Sequence, residues 1–371
     1  MKYWLAFVSG LLVSAMAWLM LHEAGTRPAR PLIADNEARI ANEQAWSIIP
    51  GKSGDDTKDS RSIIGETLRE KNAPQSGSSP KNDGIAIRVY LEEDRTIETL
   101  PLEDYVAGVV AAEMPLDFKP AALEAQAMAA RTYIVRRLWL HDRSGVPVDG
   151  ADVTNTQTHQ VYKSQEDMKK LQDQHNSEWH KVEEAVKNTE GRIIVYGDEP
   201  IEALFFSTSN GFTENSEEVF SMKLPYLRSV ASPWDKANSP RAEETVEMSM
   251  ADFYSKIGLV DVPVGASANT PKTMRILEWT PGRRVKEMVV GGKKLSGTEA
   301  RHMLGLRSAA FDWSVKNGNL TLTTFGSGHG VGMSQWGAEG MAEAGKTARQ
   351  IVEYYYTGVR TEEVSKLALG L

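Results

Sequence analysis

Glu113 stands in LEDYVAGVVAAEMPLDFKPAALEAQAMAARTYIVRRL, Leu102 to Leu138, the stretch of this 371-residue chain richest in chemical information. Leu102, Tyr105, Val106, Val109 and Val110 recur at helical spacing, and Pro115 stops that helix just beyond Glu113. A carboxylate in a last turn faces the negative end of the helix dipole, here among Val, Ala and Met. Both effects disfavour the ionised form and predict a raised pKa. A glutamic acid held protonated near neutral pH is what a general acid for a glycosidic oxygen requires. The alternative is a solvated Glu that merely ends a helix.

Other polar clusters offer partners for such an acid. Pro120 opens a second, alanine-rich helix that carries Gln126 and Arg131. Arg131 is suited to bidentate contact with a substrate oxygen or carboxylate, or equally to an internal salt bridge. THQVYKS, Thr158 to Ser164, is a further polar stretch. In FFSTSNGFTENSEEVF, Phe205 to Phe220, an apolar strand runs into Ser207, Thr208, Ser209, Asn210 and Gly211, hydroxyl and amide groups of the kind that read sugar hydroxyls. A plain strand-ending turn is the competing reading. PYLRSVASPWD adds Tyr226, Arg228 and Trp234, and GSGHGVGMSQWG projects His329 and Gln335 from a glycine-rich strand-to-helix turn. Gln126, Asn210, His329 and Gln335 thus join the substrate-binding candidates.

The elements that must position these groups follow from periodicity. IAIRVYL and Thr96 to Pro101 are expected strands, and Leu102 to Met114 and Ala121 to His141 helices. GRIIVY, IEALFFSTS and LTLTTF are expected strands, RRVKEMVVGGKKL a hairpin, and Met250 to Ile257 and Thr298 to Leu304 short helices. Ala338 to Tyr356 is expected to be helical with an interruption at Gly345, while Asp142 to Trp179 is left without a firm assignment. The irregular order predicts an α+β fold, a single mixed helix/sheet domain with a substrate groove over residues 85–371.

Composition narrows the chemistry. The chain has no cysteine, which removes thiol nucleophiles, disulfides and cysteine-bound metals. With 42 Lys and Arg against 50 Asp and Glu, the net charge of −8 argues against nucleic acid as a partner. His175 and His180 do not share a helix face and no H-E-x-x-H occurs, so no metal site and no cofactor are expected; His159 alone is left open for zinc. GMAEAGKT satisfies the literal Walker A pattern but follows no strand directly and reads as a helix with a glycine break. A serine hydrolase built from Ser334 and His329 lacks a G-x-S-x-G frame.

The N-terminus is of another character. Tyr3 to Leu21 is a 19-residue run without a charge, which as a helix is about 28 Å long and matches a hydrocarbon core of about 30 Å. A transmembrane signal anchor is expected over residues 1–25, left uncleaved because the apolar run exceeds a secretory core of roughly 7–15 residues. Residues 26–84 are polar and small and predict a disordered tether.

Taken together, YVAGVVAAEMP, ALEAQAMAARTY, THQVY, FFSTSNGFTEN, PYLRSVASPWD, LGLRS and GHGVGMSQWGAEGMA resemble the SpoIID family, stage II sporulation protein D of endospore-forming bacteria. The resemblance spans nearly all of 85–371. It implies a membrane-anchored lytic transglycosylase of peptidoglycan glycan strands, facing the mother-cell side of the engulfing septum and working in forespore engulfment with a SpoIIP-type amidase and a SpoIIM-type membrane protein. It implies Glu113 as the catalytic acid/base, and Arg131, Ser209, Thr213, Tyr226 and Arg228 as substrate-groove residues. Some members bind zinc through cysteines near the THQ segment; this chain has none. The rival reading is a non-catalytic wall-binding scaffold that recruits or activates an amidase.

Overall fold

In the computed structural model, which describes residues 84–220, 222–259 and 274–367, helix α1 (Leu102–Glu113) ends two residues after Ala111, its last buried residue. Met114 is already extended, as the following Pro115 requires. Helix α2 (Pro120–Trp139) begins with its proline in the first turn and ends with Arg136 and Arg137, cations at the negative end of the dipole. Ala122, Ala125, Ala127, Ala129 and Ala130 are all buried on it. Side chains this small let backbones approach from several sides, and α2 becomes the central strut of the main core. Packed around it are α1, α4 (Asn176–Asn188), α8 (Gln335–Glu343), α9 (Ala348–Tyr355) and strand β4 (Arg192–Tyr196).

Short sheets clothe this helical centre. β1 (Ala86–Leu91) pairs antiparallel with β2 (Thr96–Pro101) and parallel with the two-residue β3 (Val153–Thr154). β4 lies between β5 (Glu199–Pro200) and β14 (Arg360–Glu363), and β6 (Phe205–Phe206) pairs parallel with β13 (Met333–Ser334). Helix α3 (Gln165–Gln174), capped by Ser164, precedes α4 in the stretch that periodicity left unassigned.

A second hydrophobic cluster is built by β7 (Glu243–Ser249), α6 (Met250–Lys256), β8 (Met274–Trp279), β9 (Val285–Val290), β10 (Lys293–Ser296), α7 (Gly297–Leu304), β11 (Phe311–Lys316) and β12 (Asn319–Phe325). It holds two antiparallel three-stranded sheets, ordered β10-β9-β8 and β11-β12-β7, around Phe253, Met288, Phe311, Leu320 and Leu322. The mixed helix-and-sheet class expected from the sequence is therefore seen, with the described part of 85–371 organised around two cores. The long helix expected from Ala338 to Tyr356 is two helices, α8 and α9. Between them Gly345 takes a left-handed φ of 77° and Thr347 caps the second. GMAEAGKT is accordingly a helix–turn–helix segment. The expected anchor over 1–25 and the tether as far as residue 83 lie outside the described residues; among the described residues no helix is long and apolar enough to cross a membrane.

Candidate active site

The carboxyl of Glu113 is reached from two sides. The backbone N–H of Val161 donates to Oε1 at 3.1 Å, and the carboxamide Nε2 of Gln335 donates to Oε2 at 3.4 Å and to the Glu113 main-chain oxygen at 3.2 Å. Both donors favour the ionised form, yet enclosure by the protein outweighs them and raises the carboxyl from its ordinary 4.5 to about 7. The cause is thus burial. The helix-dipole contribution expected from the sequence is opposed locally, because the first residue of α8 is Gln335 and the positive end of that helix meets the negative end of α1.

The THQVY segment delivers the first donor by lying along α1. His159 is locked by Thr154 N–H on its Nδ1 at 3.1 Å and donates through Nε2 to the Ser144 carbonyl at 3.0 Å. Burial lowers it to about 4, so it is a neutral anchor with both ring nitrogens engaged. Gln160 accepts from the Tyr105 hydroxyl at 3.1 Å, and Tyr162 stacks on the Tyr105 ring with centroids 5.5 Å apart. Gly108 makes this approach possible, since a Cβ there would collide with the Tyr162 ring. Val161, between these anchors, has little freedom in where its N–H points.

The second donor comes from a buried polar hub. Asp235, the first residue of the one-turn helix α5 (Asp235–Asn238) and 0% exposed, accepts from the Ser209 N–H at 2.8 Å, the Ser209 hydroxyl at 2.8 Å, the Ser232 hydroxyl at 2.6 Å and the Ser334 hydroxyl. Ser334 is the N-cap of α8 and precedes Gln335. Phe118 and Trp336 meet edge to face at 4.8 Å, and Glu339 accepts from the Lys119 N–H at 2.7 Å. These contacts hold the first turns of α8 against the loop that follows Glu113.

Of the residues singled out in the sequence, Gln335 alone bonds to the Glu113 side chain. Arg131 is 0% exposed and forks onto Glu103, Nη2 to Oε2 at 2.5 Å and Nε to Oε1 at 3.0 Å, while its Nη1 donates to the Arg192 carbonyl at 3.1 Å. It is the internal salt bridge of the two readings, tying α1, α2 and β4. Gln126 is buried within α2, and among the described residues neither of its amide atoms has a hydrogen-bond partner. Ser209 serves Asp235, and Thr213 closes its own loop, donating to the Arg228 carbonyl and accepting from Val230 N–H. Asn210 donates to the Gly282 and Arg283 carbonyls and so ties its turn to the loop between β8 and β9. The Tyr226 hydroxyl accepts from Glu202 N–H. His329, lowered to about 3 by burial, donates to the Phe205 carbonyl and accepts from Val331 N–H, so Ser334 bonds to Asp235 and not to a catalytic histidine. Arg228 pairs with Glu217 and keeps about a quarter of its side chain exposed.

Two groups of functional weight were not singled out from the sequence. Asp235 stands inside the quoted PYLRSVASPWD, where Trp234 drew attention instead; three serines within reach of a buried aspartate become visible only in three dimensions. Val161 contributes its backbone and leaves no signal of residue type.

The pKa of Glu113 has a consequence for stability. Its folded value, about 7, lies above the ordinary 4.5, so the folded protein holds the proton more tightly than the unfolded chain. Stability therefore falls as pH rises through this window. Glu113→Gln removes that dependence, and the variant is expected to gain on the wild type between about pH 4 and about pH 8, by at most about 3 kcal/mol. Urea midpoints at the two pH values check this; a pH-independent difference would contradict it.

Comparison with known proteins agrees with the family resemblance. Residues 90–196 match the family model described as SpoIID, stage II sporulation protein. The chain is 45% identical over 307 residues to stage II sporulation protein D of Bacillus amyloliquefaciens, covering 80% of this chain and 84% of that one. It is 45% identical over 294 residues to the protein of the same name from Bacillus subtilis (strain 168), covering 79% and 83%. A more distant relative, 28% identical over 298 residues, is named amidase enhancer in Bacillus subtilis (strain 168), with 68% of this chain and 39% of that one covered. Identity at this level along most of both chains places the protein in the stage II sporulation protein D (SpoIID) family.

Proposed function

We propose that this SpoIID protein is a lytic transglycosylase that cleaves the MurNAc–GlcNAc bond of peptidoglycan, with Glu113 as its single acid/base. The observation that carries the reading is the Glu113 carboxyl, raised to about 7 by burial against the opposing pull of two donors, with no neighbouring carboxylate among the described residues contributing. Hydrolytic glycosidases work with two carboxyl groups about 5–5.5 Å or roughly 6.5–9.5 Å apart. A lone acid suits a reaction whose nucleophile is the substrate's own C6 hydroxyl, held near C1 by the sugar ring. Glu113 gives its proton to the leaving glycosidic oxygen. As carboxylate it then takes the proton of the C6 hydroxyl while that oxygen bonds to C1, closing a 1,6-anhydro ring and returning the acid to its starting state. The pH dependence follows: the acid form is required first, so turnover falls as pH rises through about 7.

The net charge of −8 supports glycan strands already stripped of peptide as the preferred substrate, since intact wall is more anionic. The cellular setting belongs to the same reading: a single-pass membrane protein with this domain outside the cytoplasm, on the mother-cell side of the engulfing septum, acting with a SpoIIP-type amidase and a SpoIIM-type membrane protein. The relative named amidase enhancer favours a second reading, in which the domain binds wall and activates an amidase without cutting glycan.

Mass spectrometry of denuded glycan strands incubated with the purified protein separates the two. Wild type is expected to release 1,6-anhydro-muramyl ends and Glu113→Gln to lose at least about 10²-fold in rate, within the range of general acid catalysis. Absence of such ends with the wild type, or an unchanged rate in the variant, overturns the transglycosylase reading. Ordinary reducing ends would mark a hydrolase instead.

A further inference from the structure

We infer that Gln335 is the positioning residue of this site: anchored through Ser334 to the buried Asp235, its carboxamide fixes the orientation of the Glu113 carboxyl and keeps a donor, never an acceptor, against its Oε2. The inference rests on Glu113 being the acid of the proposed reaction, but its geometry stands apart from any substrate.

The argument begins with the main-chain oxygen of Glu113, which can only accept. Gln335 approaches it at 3.2 Å, so the amide must present its NH2 side there. That same nitrogen is the atom 3.4 Å from Oε2. The orientation of the amide is therefore set by one contact and imposed on the other. With Val161 N–H on Oε1 at 3.1 Å, the stronger donor occupies one oxygen and the longer contact falls on the other. A proton on the carboxyl accordingly resides on Oε2, the oxygen on the Gln335 side.

The anchor is as well determined. Gln335 is the first residue of the nine-residue α8, and its N-cap Ser334 accepts from Gly337 N–H while donating to Asp235. Asp235 is held in turn by Ser209 and Ser232, and Ser232 also bonds the Tyr355 hydroxyl at 2.7 Å. Trp336 N–H donates to the Ser207 carbonyl at 3.1 Å, which fixes the next residue of the helix. Few degrees of freedom remain between Asp235 and the Gln335 amide. Among titratable groups, Tyr105 on α1 is coupled to Glu113 and burial keeps its phenol neutral. Glu339 on α8 interacts with Lys119, Glu343 and Asp117 instead.

A titration of the Glu113 carboxyl tests this without any glycan. Full-length protein with carbon-13-labelled glutamate carboxyls is followed by NMR against pH, with Glu113→Gln identifying the resonance. Gln335→Met keeps the length of the side chain and removes the donor, so the midpoint is expected to rise above the wild-type value by about half a unit to one unit. Ser334→Ala, which keeps the amide but loosens its anchor, is expected to move it the same way by less. In the glycan assay Gln335→Met is expected to lower kcat about ten-fold, to leave KM within about two-fold, and to carry the alkaline limb of the kcat profile upward with the NMR midpoint.

An unchanged midpoint in both variants overturns the inference, as does a raised KM with unchanged kcat, which would make Gln335 a substrate contact. If Gln335→Met does not fold, the Ser334→Ala midpoint decides alone. A wild type that cuts no glycan refutes the transglycosylase reading, and the NMR midpoints then still decide the role of Gln335.

Discussion

Replacing Arg131 by methionine is expected to destabilise the main core by about 3–5 kcal/mol, while the fraction that remains folded binds glycan as the wild type does. The guanidinium is fully enclosed and its contacts are internal: Glu103 from α1, the Arg192 carbonyl at the start of β4, and the Val186 carbonyl near the end of α4. Methionine fills much of the volume but leaves those carbonyls without their donor. Glu103 keeps some compensation, since its side chain is 21% exposed and Gly191 N–H still donates to it at 3.2 Å. Urea denaturation gives the stability and glycan pull-down at matched folded concentration gives the binding. A variant of wild-type stability with lost binding would restore Arg131 to the groove, where the family resemblance put it.

Arg131 also shows where the sequence stops being legible. The partner that decides its role, Glu103, is 28 residues away on another helix, and an arginine on an alanine-rich helix is equally suited to hold substrate or carboxylate. The same holds for the hydroxyl-rich turn at Ser209. Ser, Thr and Asn in a turn have donors and acceptors to spend on a sugar or on the protein, and here Asp235, 26 residues on, takes them inward. Glu113 was legible because its signals are local: an apolar face at helical spacing, then a proline.

The elements divide along the same line. α1, α2, β1 and the β9–β10 hairpin carry their own periodicity, stops and turn residues, and they occur within a few residues of where the pattern puts them. IEALFFSTS, expected as one strand, contributes only Phe205–Phe206, because its ladder is a two-residue parallel pairing with Met333 and Ser334 more than a hundred residues later. β7 escaped notice for a related reason. Its sequence, EETVEMS, is mostly polar and fully buries none of its residues, and it is a strand because β12 pairs along its whole length.

Asp235→Ala is the second large loss to expect, again about 3–5 kcal/mol, with Asp235→Asn costing roughly 1–2 kcal/mol. The alanine variant leaves the Ser209 N–H and the hydroxyls of Ser209, Ser232 and Ser334 facing an apolar methyl. A hydroxyl can turn toward another acceptor, and Ser209 already donates to the Ser232 carbonyl at 3.0 Å. A backbone N–H cannot turn. Asparagine is milder for that reason: its one oxygen can stay on the Ser209 N–H, while its NH2 meets hydroxyls that are able to accept. Relaxation of the surrounding chain offers little relief, since Gly337 sits so close that a Cβ there would fall on the Tyr355 hydroxyl, 2.5 Å from Ser232 Oγ and 2.9 Å from Asp235 Oδ2. Both variants act on the α8 N-cap through Ser334, so the loss of stability should be accompanied by a raised midpoint for the Glu113 carboxyl in whatever protein remains folded. Chemical denaturation orders the two variants, and equal losses for asparagine and alanine would mean that the carboxylate charge, rather than the geometry of its acceptors, holds this hub together.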